Sequence, residues 1–219
     1  MNPNEVIEQL RELGVNISRK TLYNWEQWGL ISEPTFRNSR VSDYPQETPF
    51  EAFASWYMLN NEPKVSPERL KDVRAIAIQS RFPSFAGASM DMLDMHFQAV
   101  KWRALKLFAE NGFHHDVKYI YFADPPEEDS QIDLRLACND QRGDICLYED
   151  ECSYNVNLRD RILEGSLPQK CPRFIKCLAF ARKINAVGYV TYRKHKWNLV
   201  IKARNLETKQ WFTHSTYEF

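Results

Sequence analysis

Asn16-Ile17-Ser18-Arg19-Lys20-Thr21-Leu22-Tyr23-Asn24-Trp25-Glu26-Gln27-Trp28-Gly29-Leu30-Ile31-Ser32-Glu33-Pro34 is the stretch whose reading decides the fold. Ser18 is placed to cap the amides of a first helical turn, and Gly29 to end the helix in a left-handed conformation. Leu22 and Trp25 fall one turn apart on an inner face. Arg19, Lys20, Tyr23, Asn24 and Gln27 then project outward. These are the side chains that reach phosphates and base edges when a short helix enters a major groove. An ordinary amphipathic helix with a solvated face would carry the same composition. What precedes the stretch favours the first reading. Asn2-Pro3-Asn4-Glu5 opens a helix with Val6, Leu10 and Leu13 on one stripe, and Gly14 ends it, so the order is helix, tight turn, helix.

Thr21-Leu22-Tyr23-Asn24-Trp25-Glu26-Gln27-Trp28-Gly29-Leu30-Ile31 resembles the Thr-Leu-Arg-Tyr-Tyr-Glu-x-x-Gly-Leu-Leu segment of MerR-like winged helix-turn-helix regulators. Tyr44 stands where the wing of that family ends, and the likeness continues through a helix at Thr48 to Asn60 and another beginning Val65-Ser66-Pro67-Glu68-Arg69-Leu70. It covers roughly the first eighty residues. The resemblance implies a sequence-specific contact with double-stranded DNA through Arg19, Lys20, Tyr23 and Asn24, with Arg37 and Arg40 adding phosphate contacts from the wing. Lys20 occupies the position of the family's Arg before Thr-Leu. Tyr23 and Asn24 replace the family's Arg and Tyr, and the wing lacks the usual Tyr-Arg-x-Tyr pattern. Phage terminase small subunits and excisionases use a similar helix with Asn-Trp at this point. A phage or mobile-element accessory protein, its C-terminal part holding another protein, is therefore the alternative to a transcriptional regulator.

Downstream, Thr48-Pro49-Phe50-Glu51 predicts a capping box, with Phe50, Phe53, Ala54 and Tyr57 covering the helix-turn-helix core. Leu70, Val73 and Ala77 face inward on the next helix. From Met90 to Leu107, the positions Met90, Leu93, Phe97, Val100, Ala104 and Leu107 form a heptad seam on a helix ended by Asn111-Gly112. Such a seam predicts a homodimer. The competing expectation is that it packs on the chain's own C-terminal sheet, helped by Trp102, Leu105 and Phe108. Beyond it the period becomes alternating, with strands expected at 117–122, 132–138, 144–148, 154–158, 186–192, 197–204 and 210–217, and a helix at 172–184. Turns are expected at Asn139 to Gly143 and Asn205 to Lys209.

The expected fold class is α+β: an N-terminal winged helix-turn-helix over 1–80, a connecting dimerisation helix over 86–112, and a C-terminal antiparallel α+β domain over 113–219. That last domain would receive a small-molecule or protein effector. The chain carries 29 basic and 29 acidic residues, which argues against bulk coating of nucleic acid. The balance hides an asymmetry. Residues 123–168 hold 4 basic against 12 acidic side chains, and residues 169–219 hold 11 against 2, so the two blocks are expected to face each other. A start rich in Glu5, Glu8 and Glu12 and the lack of a long uncharged apolar run predict a cytoplasmic protein outside the membrane.

Cys138, Cys146, Cys152, Cys171 and Cys177 are an odd number and point to reduced thiols. They lack the Cys-x-x-Cys spacing of a metal site, so no metal and no other cofactor is expected. No phosphate loop, Gly-x-Ser-x-Gly elbow or His-Glu-x-x-His occurs, and Asp133, Asp144 and Glu151 lack the lysine that often accompanies nuclease acids, so no catalysis is expected. Arg193-Lys194-His195-Lys196-Trp197, with Tyr189, Tyr192 and Trp211, interleaves basic and aromatic residues as single-strand binding surfaces do, but a hairpin turn has the same composition.

Overall fold

The structure, a computed structural model, describes residues 1–38, 42–79, 88–133, 136, 179 and 181–219. Five helices come first. Helix α1 (Pro3–Glu12) opens on a capping box: the Asn2 side chain accepts the amides of Asn4 and Glu5 at 2.9 and 3.1 Å, and the Glu5 carboxylate accepts the Asn2 amide at 2.8 Å. Helix α2 (Arg19–Gln27) is capped by Ser18, whose hydroxyl accepts the Thr21 amide at 3.1 Å. Gly14 and Gly29 end these two helices at φ +80° and +70°, the left-handed region where a side chain would be strained.

A ribbon of β1 (Phe36–Arg37) and β2 (Ser42–Asp43) follows, antiparallel with Phe36 opposite Asp43. Then come α3 (Thr48–Asn60), α4 (Pro67–Ile78) and α5 (Met90–Glu110). Ser66 and Ser89 cap the last two through the amides of Arg69 and Met92. The capping box expected at Thr48 does not form. The Thr48 hydroxyl is buried without a hydrogen-bond partner among the described residues, and Glu51 turns toward the exit of α2 instead.

After α5, a 3-10 helix spans His114–Tyr119 and leads into β3 (Ile120–Tyr121). A second 3-10 turn lies at Asp129–Gln131. Strands β4 (Ala186–Arg193), β5 (Lys196–Arg204) and β6 (Trp211–Glu218) complete a four-stranded sheet in the order β3-β4-β5-β6. The architecture is α+β, with three of the expected strands present as antiparallel neighbours. The β3–β4 pair is parallel, Ile120 lying opposite Gly188, so the sheet is not wholly antiparallel.

Two expectations are corrected. The first half of 117–122 is 3-10 helix, because the buried Asp116 carboxylate takes the amides of Asn185 and Ala186 and fixes a turn against the start of β4, and only Ile120 and Tyr121 are strand. The strand expected at 132–138 is helical at Ile132, Asp133 and Leu136. Ile132 and Leu136, four residues apart, share one face and are buried beside Tyr189 and Trp211. Residues 144–148, 154–158, the turn at 139–143 and all five cysteines lie outside the described residues, as does most of 172–184, of which Ala179 and Ala181 are helical. The turn at Asn205 to Lys209 is present: the Asn205 side chain accepts the amides of Glu207 and Thr208, and Lys209 sits at φ +59°.

Helix α5 organises the packing. One hydrophobic cluster runs from Val6, Leu10 and Leu22 through Phe53 and Leu70 to Val100, Trp102, Leu105 and Phe108 of α5, and on to Val190, Leu199 and Ile201 of the sheet. Each fully buried side chain of this size contributes about 1.5–3 kcal/mol by leaving water. A Cβ at Gly188 of β4 would lie 2.7 Å from the Phe108 ring, so the absence of a side chain there is what lets α5 lie close to the sheet. This divides the heptad seam. Val100 and Ala104 are fully buried within the chain, Leu93 and Leu107 are half-buried, and Met90 and Phe97 are 81% and 44% exposed. Val100 and Ala104 of the predicted seam are thus part of the chain's own core, because the buried face of α5 is wide enough to take in Ala99, Trp102, Leu105 and Phe108 as well.

Candidate nucleic-acid interface

The inner side of α2 is held by burial and by two ionic clusters. Leu22 and Trp25 are buried, and so is Glu26, at 5% exposure. An isolated carboxylate there would carry a large desolvation penalty, so it needs partners. Glu26 Oε2 accepts from Arg37 Nη2 of β1 at 2.5 Å and from the Tyr44 hydroxyl at 2.6 Å. The Arg37 guanidinium also donates through Nε to Ser42 Oγ at 3.3 Å and lies 5.5 Å from the centre of the Tyr23 ring. The bond to Glu26 raises the Arg37 pKa further above its ordinary value, and burial, with Glu26 second, pushes the Tyr44 hydroxyl up to about 12. The ribbon is therefore fastened to α2 by a shared acceptor.

The exit of α2 is fastened from the other side. Glu51 of α3 accepts the Ser32 amide and Arg74 Nη2, both at 2.8 Å, and Arg74 also donates to Ser32 Oγ and to the Gly29 carbonyl. The pair is 5% and 11% exposed by side chain, a setting in which removing one partner alone costs about 3–5 kcal/mol. Ser55 of α3 donates to the Leu30 carbonyl at 2.7 Å and accepts the Trp102 indole N–H at 3.0 Å. A hydrogen-bonded chain thus connects α5 to the turn that ends α2.

The outer side of α2 is the reverse. Arg19, Lys20 and Gln27 are exposed and Asn24 half-buried, and none of their side chains has a hydrogen-bond or ion-pair partner among the described residues. Tyr23 and Trp28 are 50% and 49% exposed, and Phe36 of the ribbon is 54% exposed. Of the predicted site residues, Arg19, Lys20, Tyr23 and Asn24 therefore share the helix whose opposite face is locked. Arg37 stands beside them, but its guanidinium is committed to Glu26 and Ser42. Arg40 lies outside the described residues.

Glu26, Tyr44, Glu51, Ser55 and Arg74 were not singled out from sequence as parts of this unit. One signal was available for Glu26: it follows Leu22 by four residues and so belongs to the buried stripe. Among the described residues no group of three or more His, Cys, Asp or Glu side chains is placed to hold a metal ion, and no helix is long and apolar enough to cross a membrane. Comparisons with protein-family models, with curated proteins and with solved structures give no match to this chain.

Proposed function

We propose that this chain is a sequence-specific double-stranded DNA-binding protein, in the manner of a MerR-like winged helix-turn-helix regulator, with α2 as its recognition helix. One observation carries the reading: a short helix fastened through the buried Glu26 carboxylate and, just past its end, through the buried Glu51–Arg74 pair presents Arg19, Lys20, Asn24 and Gln27 on its outer side without partners among the described residues. Side chains of this type, held by a rigid base, are what phosphate and base-edge recognition requires. The half-exposed Tyr23, Trp28 and Phe36 add apolar surface that a partner would cover. Arg37 acts through the helix, fixing the ribbon's angle, and Arg19 and Lys20 make the phosphate contacts.

A single short recognition helix buries little surface, so two copies acting on paired half-sites are part of the proposal. The exposed start of α5, at Met90 and Phe97, is the portion of the predicted seam still open to a second copy. Electrophoretic mobility shifts on a random-sequence duplex pool test the reading. Lys20→Ala and Arg19→Ala should each weaken binding across all sequences and lower the salt slope by about one unit. Unchanged affinity and unchanged salt dependence in both variants would sink the proposal.

A further inference from the structure

A cavity of about 190 Å³ opens between the end of α3, the middle of α5 and the 3-10 helix with β3. Its floor is apolar, made by Leu105, Val117, Ile120 and Phe122. Tyr57, Glu62, Lys101 and Lys118 are the polar residues that line it. The Lys118 ammonium lies 4.8 Å from the centre of the Tyr119 ring. Lys101 is different: it is half-buried and has no hydrogen-bond or ion-pair partner among the described residues. Burial lowers the Lys101 pKa and raises that of Tyr57, so a desolvated ammonium and a hydroxyl that keeps its proton border the same space.

From this geometry we infer a binding site for a small monocarboxylate with an apolar body, the carboxylate taken by Lys101 and Tyr57 and the body by the Leu105, Val117, Ile120 and Phe122 floor. Size and charge both select that class. An apolar cavity of about 150 Å³ holds a benzene ring, so this one has room for a ring and a carboxylate together. Lys101 is the ammonium without a partner among the described residues, so a single positive charge is left for a ligand to neutralise. A monoanion matches it, and a dianionic phosphate ester would exceed it. A neutral ligand would leave the Lys101 ammonium without a counter-charge in a partly desolvated place. The inference rests on the cavity alone and not on the nucleic-acid reading.

Isothermal titration of the full chain, with no DNA present, tests it, using benzoate as the probe and benzamide and benzylamine as its neutral and cationic counterparts. Benzoate should saturate one site per chain. Benzamide should bind at least about tenfold more weakly, the loss expected for one charge-assisted hydrogen bond, and benzylamine not at all. Lys101→Met should bring benzoate down to the benzamide level, with circular dichroism reporting the fold of the variant. Should Lys101→Met fail to fold, the benzoate to benzamide ratio of the unaltered chain decides. The inference is overturned by equal binding of benzoate and benzamide, by no saturation with benzoate up to about 10 mM, or by full benzoate affinity in folded Lys101→Met.

Discussion

Glu26 shows how one buried carboxylate sets the geometry of a surface. Its acceptor oxygen holds Arg37 and Tyr44 at once, so the ribbon cannot turn relative to α2 without exposing or orphaning a charge. The Tyr44 hydroxyl, pushed up to about 12 from an ordinary 10.0, makes this contact readable by pH. A proton held more tightly in the folded chain gives stability that is intact below pH 10 and is lost as pH rises through about 12. Tyr44→Phe should lose less stability over that window than the parent chain in alkaline denaturant titrations, while being about 1 kcal/mol less stable at neutral pH. Parallel losses in the two proteins would show that Tyr44 does not carry the effect. At Gly188 the expectation is steric. Gly188→Ala sets a methyl against the Phe108 ring and should destabilise the chain by about 1–3 kcal/mol, read as a lower midpoint in urea with an unchanged slope.

Among elements, α5 serves two environments. Its middle is enclosed by α3, α4 and the sheet, and its start carries Met90 and Phe97 into solvent. Phe97 also meets Phe122 and Trp197 ring to ring, at 5.7 and 5.4 Å between centroids. Met90→Glu with Phe97→Glu should shift a dimer toward monomer in sedimentation, in a chain that still folds but is less stable for the loss of the Phe97 ring contacts. Val100→Glu would place a charge in the core and unfold the chain. A folded double variant with an unchanged sedimentation coefficient would put any pairing surface elsewhere.

The same helix marks how far sequence reading reached. Its end was legible because Asn111-Gly112 is a local signal that needs no knowledge of neighbours. Its partners were not, because a period of three and four fits a second copy and the chain's own sheet equally well. Helices α1 and α2 and strands β4 to β6 were legible for the same local reason. The 3-10 segment at His114–Tyr119 was not, since Asp116 is fixed by amides some seventy residues away. The outward placement of Arg19, Lys20, Tyr23 and Asn24 on α2 was legible from their spacing. Glu51 was read as a capping-box partner of Thr48, and Arg74 was passed over because a charged residue reads as solvated until its buried partner is known.

At the scale of the molecule, three ion pairs join the two charge blocks among the described residues. Asp124 meets Arg193 at 2.6 Å, Asp129 meets Lys202 at 2.7 Å, and Asp133 pairs with Arg204, so the described start of the acidic block lies on the basic strands. Two of those cations lie within the sheet's own electrostatics. Arg204 is nearly buried, its guanidinium 4.7 Å from the centre of the Trp211 ring, and Lys202 is 13% exposed by side chain. Exposed positive charge also stands on α2, at Arg19 and Lys20. Nucleic acid and small carboxylate would thus be received on different elements, the first on α2 and the second between α3, α5 and the first turn after it.

The parallel pairing of β3 with β4 also orders the assembly of the sheet in time. Strands β4, β5 and β6 are consecutive and joined by short turns, so their contacts close small loops and form early. Ile120 and Gly188 are neighbours in the sheet but far apart along the chain, and closing that separation costs more chain entropy than closing either hairpin. The meander therefore precedes its edge. Before β3 docks, the open side of β4 offers unpaired amides to any extended chain nearby, another molecule's β3 included, so the interval before closure is when two copies of this protein can exchange that strand.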